Sequence, residues 1–338
     1  MRLLVHFILL LIVCFATALP SPLHAQSRQH AALIEGAKKE GKLVWYTSMA
    51  IDTSKPLLDA FLQEYPFIKP DLVRAGEEQL TNRIMTETRA GKWSFDAVST
   101  STISVLAERK VTTPYLSPER NAFMNEFKDP DGHWLGIFVN NLVVAYNTRM
   151  VSPRDVPKDY PDLLDPKWKG QILMDSTDYD WFGTLLTVWG REKTMQYMQR
   201  LARQAPSWRR GHGLTAQLVG AGETALAWAY NFRIERMKRD GAPVEWIDSF
   251  DPIVVTMNGI GLSAKAANPN AGKLLIDFAT SKRGQEMIRE MRRIPARSDV
   301  KPFAPRMDQS KLKLKAVPKE VYLGLDDYAR EFRRIFGL

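Results

Sequence analysis

Thiols are all but missing from this sequence. Its one cysteine, Cys14, lies in an apolar run at the start of 338 residues. A lone sulfur in that position makes no intrachain disulfide, Cys-ligated zinc site or iron–sulfur cluster, and a Cys nucleophile is excluded once the run is removed. Histidine is scarce too: beyond residue 25 only His30, His133 and His212 occur, and no two are spaced as a metal pair. No G-x-S-x-G element marks a nucleophile elbow. There is no internal repeat and no low-complexity tract, and after the first apolar run none of comparable length follows. What remains is ordinary globular composition, 45% hydrophobic and 25% charged, with a net charge of +9. At roughly 150 residues per domain this length predicts two domains.

The opening MRLLVHFILLLIVCFATALPSPLHAQ has one Arg, an apolar stretch from Leu3 to Leu19, a break at Pro20 and Pro22, and a small-residue exit at Ala25. This is the order of a cleavable secretory signal, with residues 1–25 removed. The run carries His6 and falls at the short end of the ~20 apolar residues a span requires. An exported protein has no natural access to nucleic acid.

From Ala31 onward helical and strand patterns alternate. Helices are expected at 31–41, 53–64 and 77–90, with strand-like runs at Leu43–Tyr46, 71–74 and Phe95–Val98. Two of these strands end in hydroxyls, at Thr47-Ser48 and at Ser99-Thr100-Ser101-Thr102. Ligands of parallel α/β sheets sit at the carboxyl ends of strands. A long β-rich run at 135–147, broken by Asn140-Asn141, and a second at 253–264, broken by Asn258-Gly259, suit two crossings between domains. Between them a second α/β series begins at Gln171–Met174, and the rest is helical to a last helix near 318–336. The fold expected is α/β, with two doubly wound mixed sheets joined by a hinge and a ligand cleft between the lobes. Lobe 1 takes residues 26–138 and 259–338, and lobe 2 takes 139–258.

Several motifs carry a resemblance: WYTS at 45–48, AYNTR at 145–149, WKGQI at 168–172, AQLVGAGE at 216–223 and KLLIDFATSKRGQEMI at 273–288. The chain resembles the periplasmic solute-binding proteins of ABC transporters, type II fold, and within them the ferric-iron-binding proteins. The resemblance implies a monomeric, non-enzymatic periplasmic protein that captures a small polar solute by hinge closure and delivers it to a permease. Fe(III) or an iron chelate would then be a transported ligand and not a cofactor. Iron binders of this kind place adjacent tyrosines before the helix expected at 231–240; here Tyr230 is followed by Asn231. A phosphonate, amine or organic acid is the alternative ligand, and a secreted enzyme on the same scaffold the alternative function.

Candidate ligand contacts follow from loop position. In lobe 1 these are Ser48, Met49, Thr100 and Ser101; at the crossings, Asn141 and Asn258. In the turn that opens the helix after residue 174 they are Ser176, Thr177, Asp178, Tyr179, Asp180 and Trp181. His212, at a helix start, and Tyr230 with Asn231 complete the set, with Tyr230 and Asp178 as candidate metal ligands. One of Asp178 and Asp180 should cap the helix and the other face the cleft, while Trp181 is the best candidate for an aromatic wall. The cations between Arg289 and Lys319 read as a solvated outer face.

Overall fold

A computed structural model describes residues 22–338, with side chains from Arg28 onward; Cys14 and most of the expected leader lie outside the described residues. The first half runs α1 (Pro22–Glu40), β1 (Lys42–Thr47), α2 (Ile51–Glu64), β2 (Lys69–Arg74), α3 (Glu77–Arg89), β3 (Ala97–Thr100), α4 (Ile103–Glu108) and β4 (Thr112–Thr113), then the long β5 (Leu135–Asn147). Next come β6 (Ile172–Asp175), α5 (Tyr179–Trp189), α6 (Arg191–Ala202), β7 (Ser207–Arg209), α7 (His212–Ala221), β8 (Leu226–Tyr230), α8 (Asn231–Arg239) and β9 (Val244–Trp246). The second long strand, β10 (Ile253–Ser263), leads to α9 (Pro269–Thr280), α10 (Lys282–Glu290), β11 (Ile294–Pro295), β12 (Leu314–Ala316), α11 (Lys319–Leu323) and α12 (Leu325–Phe336).

The strand order β2-β1-β3-β10-β5-β8-β6-β7 makes the expected pair of sheets one hydrogen-bonded network. Parallel β2-β1-β3 lies at one end and parallel β8-β6-β7 at the other. Antiparallel β10 and β5 run between them and belong to both. Their register shifts where Asn258 faces Phe138 and Gly259 faces Gly136. A Cβ on Gly259 would lie 3.3 Å from the Leu135 carbonyl oxygen and 2.7 Å from an Ile103 methyl, so the close approach at this bulge requires glycine.

Lobe 1 packs α1, α2, α9 and α10 on one face of its strands around Leu57, Phe61, Leu274 and Phe278. A smaller core on the other face holds Tyr46, Leu80, Ile84 and Phe95. In lobe 2, Trp181, Phe182, Trp228 and Trp246 anchor the largest core. The C-terminal segment departs from the expected partition, which placed it with lobe 1. Residues Leu314–Ala316 pair with the lobe 2 end of β10, and α12 packs on α5 and α6. The cause is visible in the apolar stripe of α12: Phe332 buries its ring against Tyr179, Phe182 and Trp208. Helix α11 lies between α4 and α5 and so touches both lobes.

Candidate functional site

The carboxyl ends of β6, β7 and β8 converge on one side of a cavity of about 440 Å³ between the lobes. Asp175, the last residue of β6, is the internal brace. Its Oδ1 accepts from the Thr177 N–H at 2.9 Å and hydroxyl at 2.8 Å, while Oδ2 accepts from the Gly211 N–H at 2.6 Å. Gly211 has φ +102°, a conformation that favours glycine, and this turn delivers His212 to the cavity. The His212 Nε2 lies 2.8 Å from Asp178 Oδ1, and Nδ1 lies 3.7 Å from Asp175 Oδ2. Both ring nitrogens face carboxylates, which favours the imidazolium. Burial opposes that charge, but Asp178, Asp175 and Asp180 outweigh it and hold the pKa above its ordinary value.

The neighbouring acids are held back from ionising. Burial raises the Asp178 pKa despite His212, and burial followed by the Asp178 charge pushes Asp180 up to about 6. Asp178 occupies the N-cap position of α5 without capping it by side chain, whereas Asp180 Oδ1 accepts the Trp181 N–H at 2.8 Å. Asp180 therefore satisfies the helix start and Asp178 turns to His212, with its Oδ2 buried and without a partner. Tyr230 closes this wall, its ring centroid 4.4 Å from that of His212. Burial, then the charges of Asp180 and Asp178, push its phenol above the ordinary range.

The lobe 1 wall is organised by Glu77, which the sequence reading did not single out. Its carboxylate accepts from the Ser48 hydroxyl at 2.7 Å, the Ser101 N–H at 3.2 Å and hydroxyl at 3.1 Å, and the Thr102 N–H and hydroxyl, both at 3.0 Å. The Thr100 hydroxyl donates to it as well. The hydroxyl clusters that end β1 and β3 thus serve first to anchor the start of α3. An acid at the first position of a helix, just past the end of β2, was the available clue. At the crossing, Asn140 and Thr256 line the cavity, and Asn258 donates to the Ser48 hydroxyl at 3.3 Å. Tyr322 closes the side.

Of the expected contacts, Ser101, Thr177, Asp178, Asp180, His212 and Tyr230 line this cavity. Ser48, Thr100 and Asn258 stand behind it, and the Ser176 N–H is taken by the Arg209 carbonyl. Three expected contacts are corrected. Met49 is buried among Leu57, Phe61 and their neighbours. Tyr179 turns outward to α12, where its hydroxyl accepts from Arg333 at 2.8 Å. Trp181 is no aromatic wall: it is fully buried against Trp228, because α5 directs it into the lobe 2 core. Asn141 and Asn231 are fully buried, with both amide atoms of each unpartnered. Strand alternation puts Asn141 on the face of β5 opposite Asn140.

The stretch from Arg289 to Lys319 is not uniformly solvated either. Arg306 lies over the Trp246 ring and pairs with Glu245 and Asp248; Arg297 pairs with Glu119 and Asp299. Arg293 turns inward, its guanidinium carbon 4.5 Å from the Phe138 ring centroid. These arginines lay apolar stems and planar heads on aromatic surface, which a count of charges along the chain does not reveal.

Among the described residues, no group of three or more His, Cys, Asp or Glu side chains is arranged to hold a metal ion. Of the two expected metal ligands, Asp178 is engaged by His212, and Tyr230 is followed by a buried Asn231.

The family model for bacterial extracellular solute-binding proteins matches residues 96–317, well over half of the sequence. The chain belongs to that family. Its members are non-enzymatic transport components, and this protein is a solute-binding protein. A relative is the Fe(3+)-binding periplasmic protein of Serratia marcescens, 23% identical over 80% of this chain and 82% of its own. In fold it is similar to iron-bound HitA from Pseudomonas aeruginosa, with a TM-score of 0.76 and 21% identity over 88% of this chain and 99% of that one. AfuA from Actinobacillus pleuropneumoniae, solved with fructose-6-phosphate bound, has a TM-score of 0.67 and 24% identity, covering 88% of this chain and 97% of that one. Both likenesses bear out the type II binding-protein fold. No helix among the described residues is long and apolar enough to cross a membrane.

Proposed function

We propose that this chain is the exported, monomeric receptor of an ABC importer, secreted through a leader ending at Ala25. In this reading it closes its lobes on a small organic solute and not on a bare ferric ion. The donor set carries the choice. Hard Fe(III) favours several anionic oxygens, whereas here Tyr230 is followed by a buried Asn231 and Asp178 is committed to His212. A carboxyl that stays protonated up to about pH 6 and an imidazolium suit the hydroxyls and polar groups of an organic molecule better. Among similar proteins, one is named for binding Fe(3+) and another was solved with exogenous fructose-6-phosphate bound.

Titration with ferric citrate tests this reading. The expected spectrum has no visible tyrosinate-to-iron charge-transfer band. A band at one equivalent that vanishes in Tyr230→Phe would overturn the choice of an organic cargo.

A further inference from the structure

Two arginines lie beside the cavity with no carboxylate in ion-pair contact among the described residues. Arg293 follows α10 in lobe 1, and Arg233 sits in the first turn of α8 in lobe 2. Both approach the Phe232 ring, Arg293 at 4.7 Å and Arg233 at 5.3 Å from its centroid, so they rest against one aromatic surface. Among the described residues neither forms an ion pair with a carboxylate, although Asp52 is near enough to act on both through space. The Arg233 Nε is buried without a partner. Among the described residues the Arg293 side chain makes one hydrogen bond, from Nη1 to Asn140 Oδ1 at 3.3 Å.

That bond places the pair relative to the cavity. Phe138, Asn140 and Leu142 alternate along one face of β5; Arg293 touches the first two, and Asn140 and Leu142 line the cavity. Phe232 in turn lies parallel to Tyr230, with ring centroids 6.0 Å apart. One continuous surface therefore runs from Asp178, Asp180 and His212, past Tyr230 and Asn140, to the two guanidiniums. Burial, then the neighbouring Arg233 charge, lowers the Arg293 pKa to about 10. Two half-buried cations close enough for one to act on the other are a natural place for an anion to join them.

We propose that Arg233 and Arg293 form the anion subsite of the cleft, taking the carboxylate or phosphoryl group of the solute while its polar remainder lies against Asp180 and Asp178. Guanidinium presents planar paired donors that match either oxyanion. Because one arginine comes from each lobe, an anion held by both ties the lobes together and favours the closed form. The inference rests on reading the cleft as the solute site.

The test is calorimetry and thermal shift on the full exported chain with inorganic phosphate, 2-aminoethylphosphonate and citrate, set against glycerol and ethanolamine as uncharged and cationic controls. At least one anionic probe is expected to raise the melting temperature, and its affinity to fall at least tenfold in Arg293→Gln and in Arg233→Gln. Arg293→Lys should fall between, since it keeps charge but loses the paired donors. Unliganded Arg293→Gln should melt no lower than the parent, which separates lost binding from lost fold. The subsite is overturned if the anions bind both Gln variants as tightly as the parent, or if only glycerol or ethanolamine binds. In that last case the cleft reading still stands. If no probe binds, both fall. Phosphate and phosphonate acting without citrate identify the phosphoryl group; citrate acting alone identifies the carboxylate.

Discussion

Asp178→Ala is expected to lose solute binding by at least tenfold and to cost about 3–5 kcal/mol of stability, the range for removing one partner of a buried ion pair. The carboxylate is almost wholly buried, and its Oδ1 lies 2.8 Å from His212 Nε2. Deleting it leaves an imidazole whose charge burial opposes, supported only through space by Asp175, at 3.7 Å, and Asp180. Asp178→Asn separates the two effects. Its amide oxygen still accepts from Nε2, so the fold is expected to hold, but the negative charge is gone. Imidazole proton resonances followed against pH should then show His212 titrating above the ordinary histidine value in the parent and at lower pH in Asp178→Asn. An Asp178→Ala variant that unfolds within about 1 kcal/mol of the parent, below that range, and still binds its solute would remove this pair from the site.

Trp181→Ala is expected to cost about 3–5 kcal/mol by the measure of large aromatic deletions in cores, while the solute affinity of the folded fraction holds. The ring is fully buried, 5.4 Å from the Trp228 ring centroid, and its Nε1 donates to the Tyr160 hydroxyl at 3.3 Å. That hydroxyl also donates to the Pro252 carbonyl at 2.8 Å, so the indole joins the start of α5 to the segment entering β10. Urea unfolding followed by far-ultraviolet circular dichroism gives the loss directly. A variant of unchanged stability and diminished affinity would return Trp181 to the cleft wall.

Trp181 marks where local pattern stops being informative. The strands, their order of alternation with helices and the two crossings follow from apolar period and from the Asn-containing long runs, because those signals are local. The turn from Ser176 to Asp180, His212 and Tyr230 were legible for the same reason: each follows a strand end, where parallel sheets open their loops. Orientation within the turn was not. Successive residues at a helix start point a third of a turn apart, so Tyr179 meets α12, Asp180 meets the cavity and Trp181 meets the core. Glu77 and Tyr322 escaped because each reaches the cavity from an element distant in sequence from the other residues that line it. The partition of the C-terminus failed on the same ground. Phe332 binds α12 to α5 across more than a hundred residues, and neither composition nor period records that pairing.

In the function proposed above, the cleft holds an organic anion between Asp178–His212 and the Arg233–Arg293 pair. Native mass spectrometry with metal analysis of the protein isolated from its own cells under non-denaturing conditions reads its occupant directly. The expected result is one equivalent of a small molecule bearing a carboxylate or phosphoryl group, with iron far below stoichiometric. One equivalent of iron, or a stoichiometric ligand carrying no anionic group, would contradict it.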